Sequence, residues 1–148
     1  MAIFPQKDSD QSSKAQSVKE LLATAFIHHQ NGQLAEANLL YKRTREIEPN
    51  NILAIQLSGV LAYQLKQFES SLTLLSRAIA LKPNYAEALD NRGLVLMELK
   101  RFDEALADFN KSVALKPHFA NAFINRGNLL KELKRFDEAL ADFNKAII

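Results

Sequence analysis

The chain has 148 residues, 47% apolar and 24% charged, the balance of one globular domain long enough to bury a core. Nineteen basic and seventeen acidic residues leave a net charge of +2 with the signs interspersed, so no basic stripe suited to nucleic acid is present. The absence of cysteine excludes disulfides and thiolate metal sites; no apolar run approaches the ~18 residues of a membrane span, the start lacks the basic and apolar regions of a secretory signal, and the expected setting is the cytoplasm.

Residues 1–17, MAIFPQKDSDQSSKAQS, are a polar segment expected to be flexible or to extend the first helix. From residue 18 onward one period governs the chain. Pro49, Pro83 and Pro117 stand thirty-four residues apart, each closing a similar run (REIEPN, IALKPN, VALKPH). They divide the chain into units 18–51, 52–85, 86–119 and an incomplete 120–148.

Within each unit, apolar residues recur at helical spacing in two blocks, which predicts an amphipathic helix, a short turn and a second amphipathic helix. In the third unit the first block holds Leu89, Leu96 and Leu99, and the second holds Phe102, Leu106, Phe109, Val113 and Leu115. The proline ends each unit because it cannot continue a helix. Asn50 and Asn84, directly after a proline, are expected to be N-caps, with Glu87 completing a capping box on Asn84.

Small residues predict how the helices meet. Ala25, Gly59, Gly93 and Gly127 share a column in the first helix, and Ala37, Ser71, Ala105 and Ala139 share one in the second. Glycine inside a helix costs about 1 kcal/mol against alanine, so three occurrences imply close approach of the two helices of a hairpin. The stretch ELKRFDEALADFNK occurs at 98–111 and again at 132–145. In it Phe102, Ala105, Leu106 and Phe109 are the expected buried stripe, while Asp103, Glu104, Asp108 and Lys111 are the expected solvated face. The stretch is thus a building block used twice, not an active site.

A search for chemistry is empty. There is no phosphate-cradling glycine loop, no Gly-x-Ser-x-Gly and no His-Glu-x-x-His. His28 and His29 are adjacent and diverge by about 100° on a helix, so they cannot share a metal. No catalytic residue, metal or cofactor is expected, and the chain is read as not being an enzyme.

The pattern Leu89-x-x-Arg92-Gly93-x-x-Leu96, Ala105-x-x-x-Phe109, Pro117 resembles the tetratricopeptide repeat (TPR) over residues 18–148. The tryptophan frequent in that family's first column is replaced by Leu21, Ile55, Leu89 and Phe123. The glycine usual in its inter-helix turn survives only as Gly32, with Lys66, Lys100 and Lys134 elsewhere. The resemblance implies an all-α fold: an α-solenoid of antiparallel helical hairpins stacked into a right-handed superhelix. It also implies a concave groove lined by the first helix of each unit, and hence a protein or peptide ligand.

By the helical period, the groove face holds Lys19, Leu22, Phe26 and His29 in the first unit and Leu53, Gln56, Leu57, Val60 and Tyr63 in the second. Asp90, Asn91, Leu94 and Met97 follow in the third, then Asn121, Ile124, Asn125, Asn128 and Lys131 in the fourth. The groove is therefore expected to be apolar at one end and amide-rich at the other; Ile3 and Phe4 are candidates to cover the apolar end. A carboxylate clamp of the chaperone-binding kind is not expected, because neither frame of three helices supplies its cationic pair.

The Asn-Arg-Gly of 91–93 and 125–127 is similar to the N-terminal repeats of bacterial SPINDLY-type proteins, which are O-linked N-acetylglucosamine (O-GlcNAc) transferase-like. In that group an asparagine ladder cradles protein substrates, and Asn91 and Asn125 match its column. The leading expectation is a non-catalytic scaffold gripping a protein segment through Leu22, Phe26, Leu57, Val60, Tyr63, Asn91, Leu94, Asn125 and Asn128. The alternatives are the substrate-recognition region of a larger glycosyltransferase and a homo-oligomerisation module. The fourth unit stops before its expected proline without a capping helix, which suggests a fragment. It predicts that the last hairpin either self-associates through Leu140, Phe143 and Ile147, giving a homodimer, or frays there.

Overall fold

The computed structural model describes residues 7–147. Among these residues there are eight helices and no strand: α1 (Lys7–Gln30), α2 (Leu34–Ile47), α3 (Ile52–Gln64), α4 (Phe68–Leu81), α5 (Ala86–Glu98), α6 (Phe102–Leu115), α7 (Ala120–Glu132) and α8 (Phe136–Ile147). They pair in chain order as four helical hairpins, and α2, α4 and α6 each also pack on the following helix, which stacks the hairpins into an all-α solenoid. Helix α1 begins eleven residues before the first thirty-four-residue unit.

All four turns inside the hairpins close in the same way. After α3 the Gln67 amide bonds the Ala62 carbonyl at 2.8 Å and the Lys66 amide bonds Tyr63 at 2.9 Å, a Schellman arrangement. The corresponding bonds recur after α1, α5 and α7. This closure needs a left-handed residue, supplied by Gly32 at φ 76° and by Lys66, Lys100 and Lys134 at φ 59–60°. The lysines adopt the turn at the ordinary cost of a non-glycine residue in that region.

The glycine column exists to admit large side chains from the opposite helix. A Cβ on Gly93 would fall 2.5 Å from the Phe109 ring, one on Gly127 2.6 Å from Phe143, and one on Gly59 2.7 Å from Leu75. In the first hairpin the smaller gap at Ala25 is filled by Tyr41. The small residues on the second helix fit beside this contact; Ser71 Oγ also donates to the Gly59 carbonyl at 2.7 Å.

Two expectations are corrected. Helices α3 and α5 start later than the post-proline asparagines. Asn51, not Asn50, caps α3, accepting from the Ala54 amide at 2.9 Å, and Tyr85 occupies the cap position of α5 without a side-chain bond. The two residues after each proline are spent on a turn, so Asn50 instead accepts from Arg77 at 3.2 Å and Glu87 pairs with Lys116.

Asp108 is not on the solvated face. It is buried, and Arg92 Nε and Nη2 donate to its two oxygens at 2.7 and 2.8 Å. Arg126 holds Asp142 in the same forked way, with both bonds 2.7 Å. The charge falls on the inner side of α6 because its counter-charge projects from α5 across the hairpin. Glu104, which stays exposed, is paired with Arg101.

Candidate functional site

Helices α1, α3, α5 and α7 run side by side along one face of the stack, with direct α3–α5 and α5–α7 packing. Lys19, Leu22, Ala23 and Phe26 of α1 and Leu53 and Leu57 of α3 together line an open cleft of about 410 Å³. Its walls are almost wholly apolar. Leu22 and Leu57 are half-buried, while Phe26 and Leu53 remain 43% and 49% exposed. Neighbouring large apolar side chains left open to water mark a place where another apolar surface can be buried. Ile3 and Phe4, the candidates to cover this end, lie outside the described residues.

Further along, Val60, Tyr63, Asn91 and Leu94 are half-buried on α3 and α5. The Tyr63 ring leans on Phe68 with centroids 5.8 Å apart, and burial, helped by the Glu98 carboxylate, raises its phenol above the ordinary range. His29 bridges three helices, bonding the Tyr41 hydroxyl at 2.9 Å through Nδ1 and Gln64 at 2.6 Å through Nε2. It thus links the first hairpin to the second and is not directed into the groove. No cluster of metal-ligating side chains is present among the described residues.

The amide-rich end differs from the expected ladder. Asn125 Nδ2 donates to Asp90 Oδ2 at 2.9 Å, tying α7 to α5, so this asparagine is already engaged; Asn128 is exposed. Asp90 is 4% exposed, and its other oxygen, Oδ1, is buried with no hydrogen-bond partner. Burial pushes its carboxyl up to about 6, the Asn125 bond opposing and the Glu87 charge adding to that shift. The sequence pattern placed Asp90 on the groove face. It did not mark it as buried, because its depth depends on the neighbouring helix α7.

At the far end of the stack the three residues expected to self-associate separate into two kinds. Phe143 is half-buried and fills the space over Gly127, so it belongs to its own hairpin. Leu140 and Ile147 are open, 59% and 83% exposed, and Phe136 joins them. No described helix is long and apolar enough to cross a membrane.

Models of the tetratricopeptide repeat match residues 86–119 and 120–148, and a further TPR model matches 59–100. No curated protein matches the chain. Among solved structures, the MamA crystal structure superposes with a TM-score of 0.78 at 24% identity, covering 95% of this chain and 82% of that one. MamA 41-end from Desulfovibrio magneticus RS-1 gives 0.79 at 19% identity, covering 88% and 73%. At these identities the two show a shared fold. A mutant O-GlcNAc transferase of Thermobaculum terrenum gives 0.77 at 26% identity, over 79% of this chain but 22% of that one.

Proposed function

Because the chain belongs to the tetratricopeptide-repeat family, its repeat models together spanning residues 59–148, we propose that it is a non-catalytic cytoplasmic scaffold holding a segment of another protein along its inner helices. The observation that carries this is the open apolar cleft between α1 and α3, where Phe26 and Leu53 stay largely exposed beside Leu22 and Leu57. A bound segment would place an apolar side chain there. It would then run past Val60, Tyr63, Asn91 and Leu94 towards Asn128, the amides of Asn91 and Asn128 offering both donors and acceptors to a peptide backbone while Asn125 keeps its bond to Asp90.

The test uses peptides selected from a random dodecapeptide phage library on the unmodified chain. Phe26→Asp is expected to weaken them at least about tenfold, the scale of removing a buried apolar anchor, with an unchanged thermal melt because Phe26 is exposed. Peptides that bind Phe26→Asp and Leu57→Asp as tightly as the parent would show that the cleft is not the site.

Two other roles have specific support. Exposed Phe136, Leu140 and Ile147 form an apolar end that fits a second copy, and Leu140→Lys is expected to abolish any dimer seen by light scattering. The likeness to the O-GlcNAc transferase chain fits a substrate-gripping region of a larger glycosyltransferase. That role needs an asparagine ladder acting on peptide backbone, so Asn91→Ala with Asn125→Ala would weaken all selected peptides alike.

A further inference from the structure

Asp90 stands where the fold asks for no charge. The same place in the other units is taken by Leu22, Gln56 and Ile124, so packing there is satisfied by a leucine, an amide or an isoleucine. Its side chain is nearly sealed from water, one oxygen held by Asn125 and the other without any donor. Most buried polar groups are paired, and an exception needs an explanation. No described cation compensates it. Arg92, two residues on, is committed to Asp108 and Ser76, and Lys116 to Glu87. Glu87, one turn before Asp90, adds negative charge.

The position also has a counterpart at the apolar end. Two units earlier, the places of Asp90 and Asn125 are those of Leu22 and Leu57, which line the open cleft. Asp90 is therefore the polar equivalent of a cleft residue, on the strip along which the bound segment runs. A cation supplied from outside would satisfy the free oxygen and neutralise the buried charge together.

We propose that Asp90 is the specificity-determining residue of the groove and takes a lysine or arginine side chain of the bound segment. This inference rests on the reading of the inner face as a peptide site. The geometry also sets a spacing. Phe26 on α1, the expected apolar anchor, lies two helix-to-helix steps of about 8–10 Å from the helix that carries Asp90, which an extended chain covers in about five or six residues. The recognised segment thus carries a large apolar residue and a basic residue about five or six positions apart.

The test pans the same dodecapeptide library separately on the parent chain and on Asp90→Asn, which keeps the shape of the side chain. Asp90→Leu, copying the first unit, is the second variant should Asp90→Asn fold poorly by circular dichroism. Peptides selected on the parent are expected to show a basic residue at that spacing. Replacing it by glutamine should weaken binding to the parent about tenfold or more, and barely alter binding to the variant. Parent-selected peptides that still need Phe26 but carry no basic residue would overturn the inference and leave the peptide site standing. So would a glutamine replacement that costs the parent and the variant equally. A library yielding no binder on the parent would overturn both.

Discussion

Between α1 and α3, Leu22 and Leu57 line an open apolar cleft, whereas two units later Asp90 and Asn125 join α5 to α7 by a partly buried hydrogen bond. The backbone frame is common to both ends, with the same turn closure and the same small-over-large packing. The contrast extends into the hairpins. Arg92 with Asp108 and Arg126 with Asp142 clamp the last two, while the corresponding places in the second hairpin hold Ser58 and Leu74. Groove and clamp positions have changed chemistry freely, whereas the Ala25–Tyr41, Gly59–Leu75, Gly93–Phe109 and Gly127–Phe143 contacts have kept one size rule. Frame and inner-face chemistry are thus separable in this molecule, and the two ends are expected to be alterable independently.

The largest effect should come from breaking a clamp. Arg92→Ala strands the buried Asp108 carboxylate and is expected to cost about 3 kcal/mol, the lower end for a buried pair because Arg92 is partly exposed. Urea unfolding measures this. Arg92→Ser with Asp108→Leu, which writes the second hairpin's residues into the third, should recover most of the loss. If the double variant is no better than Arg92→Ala, the two kinds of hairpin are not interchangeable.

A smaller effect separates the groove ends by pH. The Asp90 carboxyl is raised to about 6 from an ordinary 3.8, so the folded state holds its proton more tightly than the unfolded chain does. Its full contribution is present below the unfolded value and is lost as pH rises through the folded one, about 2–3 kcal/mol in all. For Glu87, burial acts to raise the carboxyl, but the Lys116 bond, a backbone bond and the Lys116 and Lys82 charges together outweigh it, so Glu87 stays charged across most of that window. Between pH 4 and pH 7 the parent should therefore lose stability relative to Asp90→Asn. Parallel stability curves for the two would show that Asp90 is adequately solvated.

The smallest concerns the turns. Lys100→Gly relieves a left-handed lysine and is expected to stabilise by a few tenths to about 1 kcal/mol, the greater freedom of glycine in the unfolded chain offsetting part of the gain. Gly32→Lys should cost about the same, making the first turn like the other three. Opposite small shifts in thermal melting are the expected readout.

The solenoid was legible in the sequence because its determinants are local and repeated. Three prolines at one interval, the small columns and the two apolar blocks per unit need no long-range knowledge. What escaped depended on which helix faces which. Asp108 carries the same pattern as any solvated acid, and only Arg92 across the hairpin explains its burial. Asn50 and Asn84 sat where a cap is plausible, but the turn after proline consumed two residues before the helix began. The apolar and polar ends of the inner face could be read from the period. The pairing of Asn125 with Asp90 could not, since it joins residues on different hairpins.

One consequence of the stacking is mechanical. Hairpins meet chiefly their immediate neighbours, so the row behaves as links in series, and a small tilt at each joint adds up along its length. Such a body is expected to flex as a spring through small changes at every joint. A guest spanning several links would set the pitch of that spring, and tension on the ends of the chain would act directly on the grip.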